Sequence, residues 1–224
     1  MATVLDKNLF VFLHKLSANN NRDWFKKNKS EFDVLNKQVK SYFQSVFDHH
    51  RSKFDWDKVK VFRIYRDVRF SKNKVPYKTH FGIAFHRLKP NYRGGFYVHL
   101  DPSDSFIASG FWDPNKDDLF RMRKEIEMDH EYFRKKIEGS KVKKMWGEMK
   151  GEKLKTSPKG FDREHPANDL LQYKQYIFSK KVDHKTIFSN EFESFVVDHF
   201  KELLPVLNYM GDVLNTNLDG ESLL

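Results

Sequence analysis

The apolar residues change period at Asp57, and this constrains the fold more than any other feature of the chain. Upstream, Leu9, Phe10, Leu13 and Leu16 follow helical spacing, and Phe32, Leu35, Val39, Phe43 and Val46 recur at three- and four-residue steps. Downstream, Val59, Val61, Arg63 and Tyr65 alternate with Phe62, Ile64, Arg66, Val68 and Phe70, the period of a strand. A chain that opens on two amphipathic helices and then turns to strands must lay the helices against a sheet.

Further alternating segments predict strands at Gly82–Leu88, Gly95–Asp101 and Ser105–Phe111, the last two joined by the turn sequence Asp101-Pro102-Ser103-Asp104. Asp113-Pro114-Asn115 opens a helix over 115–138, with Leu119, Met122, Ile126, Phe133 and Ile137 inward. A short helix around Trp146, an ordered loop, a short helix over Asn168–Tyr173, a strand over Gln175–Val182 and a helix from Asn190 to about Asn217 complete the reading. Asn190 and Glu193 stand at capping-box spacing, and Pro205 should kink or divide that last helix. The expected class is α+β: a mostly antiparallel sheet of about four to five strands with helices packed on one face. One domain over 1–224 is expected, with N-terminal helices over 6–50, the basic strand and sheet over 57–112, the helix over 115–138, and loop and C-terminal helices over 141–218.

Composition says what fills the core and what chemistry is excluded. Phenylalanine (22) outnumbers leucine (18), so wide rings supply much of the apolar burial. The chain has no cysteine, which removes disulfides, thiol nucleophiles and thiolate metal sites. The apolar run Leu9–Leu13 is too short for a secretory signal, and no stretch approaches the length of a membrane span. These observations predict a cytoplasmic protein without a membrane partner; oligomeric state and cofactor are left open.

The net charge of +10 is localised. Between Arg51 and Arg93 stand 13 basic residues and three acids, so this segment carries the whole excess. Its densest part, Arg63 to His80, contains Arg63, Arg66, Arg69, Lys74, Tyr77, Lys78 and His80, the candidate anion-binding set. Guanidinium groups suit bidentate contact with phosphate or carboxylate, and lysines add point charges. The alternative is that Arg66 pairs with a structural acid and the lysines form a solvated strand edge. A second tier of candidates comprises Tyr97, His99, Trp112, Lys159 and His165. His99 and Asp101, two residues apart, are the start of a metal site, but no compact third ligand stands near them in the chain, and no metal is expected. Signatures of P-loop nucleotide hydrolysis, dinucleotide binding, zinc proteases and serine hydrolases are absent.

The run RIYRDVRFSKNKVPYKTHFG (Arg63–Gly82) resembles the signature of a family of uncharacterised bacterial and fungal proteins, domain of unknown function 2461. NNNRDWFKKNKSEF (Asn19–Phe32), GFYVHLDP (Gly95–Pro102), SGFWDP (Ser109–Pro114) and LKTSPKGFDREHP (Leu154–Pro166) resemble its other blocks in the same order. Val75 departs from the threonine expected there. The resemblance implies one domain over nearly the whole chain and a shared constellation at Arg66, Arg69, Lys74, Tyr77 and Lys78, without an activity.

Three functional classes follow. The basic segment is expected to form an anion pocket for a phosphorylated or carboxylated small molecule, with Tyr77, His80 or His99 as proton-transfer groups if chemistry follows. Alternatively, interleaved aromatic residues make it a nucleic-acid-binding surface, or it docks an acidic protein.

Overall fold

The helical stripe upstream of Asp57 folds as three helices in the computed structural model, which describes residues 4–224. Asp6 accepts the Asn8 N–H and starts α1 (Asn8–Ala18), which Asn19 ends. The segment around Trp24 and Phe25 is a separate helix, α2 (Arg22–Lys27), capped by Asn21, whose side chain accepts from the Trp24 N–H at 2.9 Å. Then comes α3 (Lys29–Phe54), which stops at Asp55 in the left-handed region (φ 53), a conformation that aspartate tolerates better than most residues.

Four strands follow in sequence, β1 (Trp56–Val61), β2 (Phe81–Arg87), β3 (Gly95–Leu100) and β4 (Phe106–Phe111), then α4 (Lys116–Met128), α5 (His130–Ile137), α6 (Ser140–Trp146) and α7 (Asn168–Leu171). After them come β5 (Tyr176–Lys181), α8 (His184–Ile187) and α9 (Phe192–Leu214). The five strands form one antiparallel sheet in the order β1-β2-β3-β4-β5, which with nine helices among the described residues makes the expected α+β architecture. No helix among these residues is long and apolar enough to cross a membrane.

Four expectations need correction. The basic strand does not run from Asp57 to Phe70: β1 ends at Val61. Beyond Phe62, whose N–H still reaches the Gly82 carbonyl, the chain pairs with its own return limb through Lys78 N–H to Ile64 O and Arg66 N–H to Pro76 O. The helix over 115–138 divides at Asp129, whose side chain accepts from the Tyr132 N–H and so caps a new helix. Pro205 sits inside α9, which runs on past it, so of the expected kink or division the division is not seen. Glu193 closes no capping box; its carboxylate instead takes His49 and His50, each at 3.1 Å.

The chain forms two compact units. The first comprises residues up to His86, Tyr97–Ile107 and Lys181–Val197. In it the alternation of β2 and β3 sorts the two sides of the sheet. Phe81, Ile83, Phe85, Val98 and Leu100 are buried, whereas Ala84, Tyr97 and His99 are only half-buried. Rings from α3 and the β1 start fill the buried side: Trp56 stacks on Phe54 at 4.5 Å and on Phe85 at 4.3 Å, with Phe43 edge-on to Phe85. The opposite side of these strands carries no helix residue in these ring contacts and remains partly open.

The second unit comprises Arg87–Phe96, Ala108–Lys180 and Asp198–Leu224. Trp146 donates to the His199 carbonyl at 2.9 Å and stacks on Phe200, which also packs on Phe96. Arginines tie its loops down. Arg123 holds the Leu171 and Tyr173 carbonyls, Arg121 holds the chain after α9, and the nearly fully buried Arg87 reaches Asn208 and the Arg93 carbonyl. At Gly110 (φ 141) a Cβ would stand 2.0 Å from the Tyr176 carbonyl oxygen, so no other residue fits that approach to β5.

Trp56 is fully buried between two rings, so Trp56→Ala is expected to cost about 3–5 kcal/mol. Trp112, which is 72% exposed, is expected to cost no more than about 0.5 kcal/mol when changed to alanine. Urea denaturation followed by circular dichroism measures both.

Candidate functional site

The open side of β2 and β3 in the first unit gathers the titratable groups that the sequence scattered. Gly82 makes room for Tyr97: a Cβ there would lie 2.5 Å from the tyrosine oxygen. Two residues before Gly82, just ahead of β2, His80 lies against His99, two residues after Tyr97, with ring centroids 4.1 Å apart, the step that antiparallel pairing demands. Tyr97 Oη and His99 Nδ1 share a hydrogen bond of 3.0 Å, and Phe106 of β4 stacks on the His99 ring at 4.6 Å and 12°. One imidazole is therefore held at its edge and on its face.

Asp101 completes the group. One ligand atom from each of His80, His99 and Asp101 lies within 4.8 Å of the others. The Asp101 Oδ1 accepts from the Ser103 N–H at 2.8 Å and the Ser103 hydroxyl at 2.6 Å, which orders the turn predicted after β3.

The electrostatics set the charge of each member. Burial, then the charges of His99 and Lys78, pushes His80 down to about 4, against a smaller upward pull from Asp101. Burial lowers His99 as well, opposed by Asp101 and Asp104. Burial works to raise Asp101, but hydrogen bonds from Ser103 and Asp104, together with His99, outweigh it and hold the carboxyl below its ordinary range. Burial pushes Tyr97 up to about 12. Near neutral pH the group is thus two neutral imidazoles, a neutral phenol and one carboxylate.

Beside it stands a basic and aromatic surface. Lys60 Nζ lies 5.2 Å and Lys78 Nζ 5.5 Å from the centre of the Phe62 ring, which itself stands 6.5 Å from Tyr97. Burial, then the charge of Arg63, lowers the Lys78 amine. Among the described residues no carboxylate forms an ion pair with Lys60, Arg63 or Lys78, although Arg63 acts on Asp67 at longer range.

The remaining basic candidates are engaged within their own loop. Arg69 pairs with Asp67 through two hydrogen bonds of 3.0 and 2.7 Å, in the open. Lys74 donates to the carbonyls of Val68 and Arg69, and Arg66 to that of Val75. All three are thus bonded within the loop that runs from Arg66 to Val75. Tyr77 is only 6% exposed: its ring stacks on Phe25 at 4.1 Å, and the Asn20 amide clamps its backbone on both sides. It is a packing residue that fixes the limb carrying Lys78 and His80.

Trp112, Lys159 and His165 belong to the second unit. There Trp112 and Lys159 are exposed, while His165 accepts the Ala167 N–H and packs edge-on to His130. Sequence reading missed Lys60 and Phe106; the period of two through β4 was the signal that placed Phe106 with His99. Two hollows lie away from this face, one along α3 lined by Lys40, Gln44 and Asp48, the other in the second unit lined by Arg87, Tyr92 and Asn208.

An α+β fold with an open sheet face bearing histidines, tyrosine and lysines is the class this geometry defines. The chain belongs to the family described as conserved hypothetical protein (DUF2461), whose model matches residues 8–209. Comparison with curated proteins gives no match.

Because His80 is held neutral in the fold, the unfolded chain binds more protons between about pH 6.5 and 4, and stability falls as pH drops through that window. In His80→Gln the loss of stability between pH 7 and pH 5 is expected to be smaller than in the parent. Urea midpoints of the two proteins at the two pH values measure it.

Proposed function

We propose that the open sheet face binds an anionic ligand, a small molecule bearing phosphate or carboxylate, with Lys60, Arg63 and Lys78 supplying the charge. The observation that carries this reading is Lys78: its amine is partly withdrawn from water, lies over Phe62, is pushed down by Arg63, and has no carboxylate partner. Two cations held together without a counter-charge cost free energy that a bound anion recovers. Arg66, Arg69 and Lys74, already bonded within their loop, contribute little to this ligand. The flat Phe62 ring suits a ligand with a planar or apolar portion next to its anion.

If chemistry follows binding, the groups that can move a proton are His99 and His80, neutral near pH 7, with Tyr97 fixing the His99 ring. A single-stranded nucleic acid is the second reading. It is favoured by Phe70, which is 96% exposed with Arg69 over its ring at 6.0 Å.

Isothermal titration with inorganic phosphate and with a nucleoside monophosphate tests the first reading. Lys78→Met and Arg63→Ala are each expected to weaken binding roughly tenfold, as loss of a charged hydrogen bond does, while Arg69→Ala leaves it within about twofold. Unchanged affinity in both of the first two variants sinks the proposal. Salt separates the readings: a one-phosphate ligand loses affinity modestly from 50 to 200 mM salt, whereas an oligonucleotide covering several phosphates loses it by orders of magnitude.

A further inference from the structure

Two imidazoles and a carboxylate meeting on one face form a donor set that the anion reading uses only in part, as groups that can move a proton. His80, His99 and Asp101 each bring one ligand atom within 4.8 Å of the other two, the one such group found among the described residues. A zinc ion bound at about 2.0–2.2 Å holds its ligand atoms about 3.3 Å apart, so the group closes on an ion by side-chain movements of roughly an ångström.

The supports around these residues are those a metal site needs. His99 has one ring nitrogen on the Tyr97 hydroxyl and one face on Phe106, so its remaining nitrogen has a fixed direction. A cation on that nitrogen selects the tautomer in which Nδ1–H donates to the tyrosine oxygen. Asp101 has Oδ1 committed to Ser103, while Oδ2 accepts no hydrogen bond among the described residues. His80 stands at the end of the limb that Asn20 clamps through Tyr77. The charges facing the group are mixed: Lys78 opposes a cation near His80, whereas Asp101 and Asp104 favour one near His99.

We propose that His80, His99 and Asp101 bind one divalent transition-metal ion, of the zinc or ferrous kind that two nitrogens and one carboxylate oxygen suit, with at least one coordination position left to water or a ligand. The site goes beyond the anion reading, since none of its three ligands is among Lys60, Arg63 and Lys78.

The test uses the full chain, stripped with a chelator and kept in phosphate-free buffer, so that the fate of the anion reading does not affect it. Cobalt(II) is titrated and followed by visible absorption, and zinc(II) by calorimetry. One ion per chain is expected. His80→Gln, His99→Gln and Asp101→Asn should each weaken binding at least tenfold, and His165→Gln should leave it unchanged. Asparagine at 101 keeps the oxygen that orders the turn, so that variant is expected to remain folded, as circular dichroism shows directly. In the parent protein, zinc should shift the imidazole proton resonances of His80 and His99 and leave those of His49 and His50 in place. Absence of saturable binding by folded protein, or affinity that survives both His80→Gln and His99→Gln, overturns the proposal, as do zinc shifts confined to other histidines.

Discussion

Much of the first unit follows from one constraint: β2 can bury only one of its sides. Trp56, Phe54, Phe43 and Phe32 supply rings that fill the volume against Phe81 and Phe85. With every second position of the strand so occupied, the intervening positions are turned away from the rings, and whatever stands there meets its neighbours on β3 at fixed register. Gly82 meeting Tyr97, and His80 meeting His99, are consequences of that register. The polar face is held in place by the apolar one.

The basic segment illustrates how charge density and charge availability differ. Arginine and lysine are abundant from Arg63 to Lys78, yet three of the cations close a loop by bonding Asp67 and backbone carbonyls. Exposed pairs such as Arg69 with Asp67 contribute little to stability, but they shape the loop. Of the cations without a carboxylate partner, Lys60 and Lys78 lie over the Phe62 ring, while Lys72 stands exposed in the loop itself.

The strands β2 to β5 and the α+β class were legible because alternation and turn chemistry agree there: Gly95 to Phe111 alternates on both sides of an aspartate-proline turn. The end of β1 was not legible, since alternation continues through Arg66 while the pairing partner changes from β2 to the chain's own return limb. Asp129 reads as one more polar residue on a helix surface, and only its bond to the Tyr132 N–H reveals a cap. The third member of the His99 and Asp101 group is His80, the residue just before β2, not one from the nearby chain. Folding β2 onto β3 about the segment from Leu88 to Gly94 would have found it. The occupation of Arg66, Arg69 and Lys74 by carbonyls and a neighbouring acid depends on loop geometry that carries no periodic trace.

The loop between Arg66 and Val75 bonds Arg66, Arg69 and Lys74 internally, and its two ends are pinned separately, by the backbone pairing of Arg66 with Pro76 and by the Asn20 clamp on Tyr77. Its length is therefore uncoupled from the geometry of Lys78 and His80 beyond it. In engineering language, it is an insertion point: a peptide tag or a reporter placed near Lys72 and Asn73, which are exposed, would extend a self-contained loop and leave the sheet face as it was.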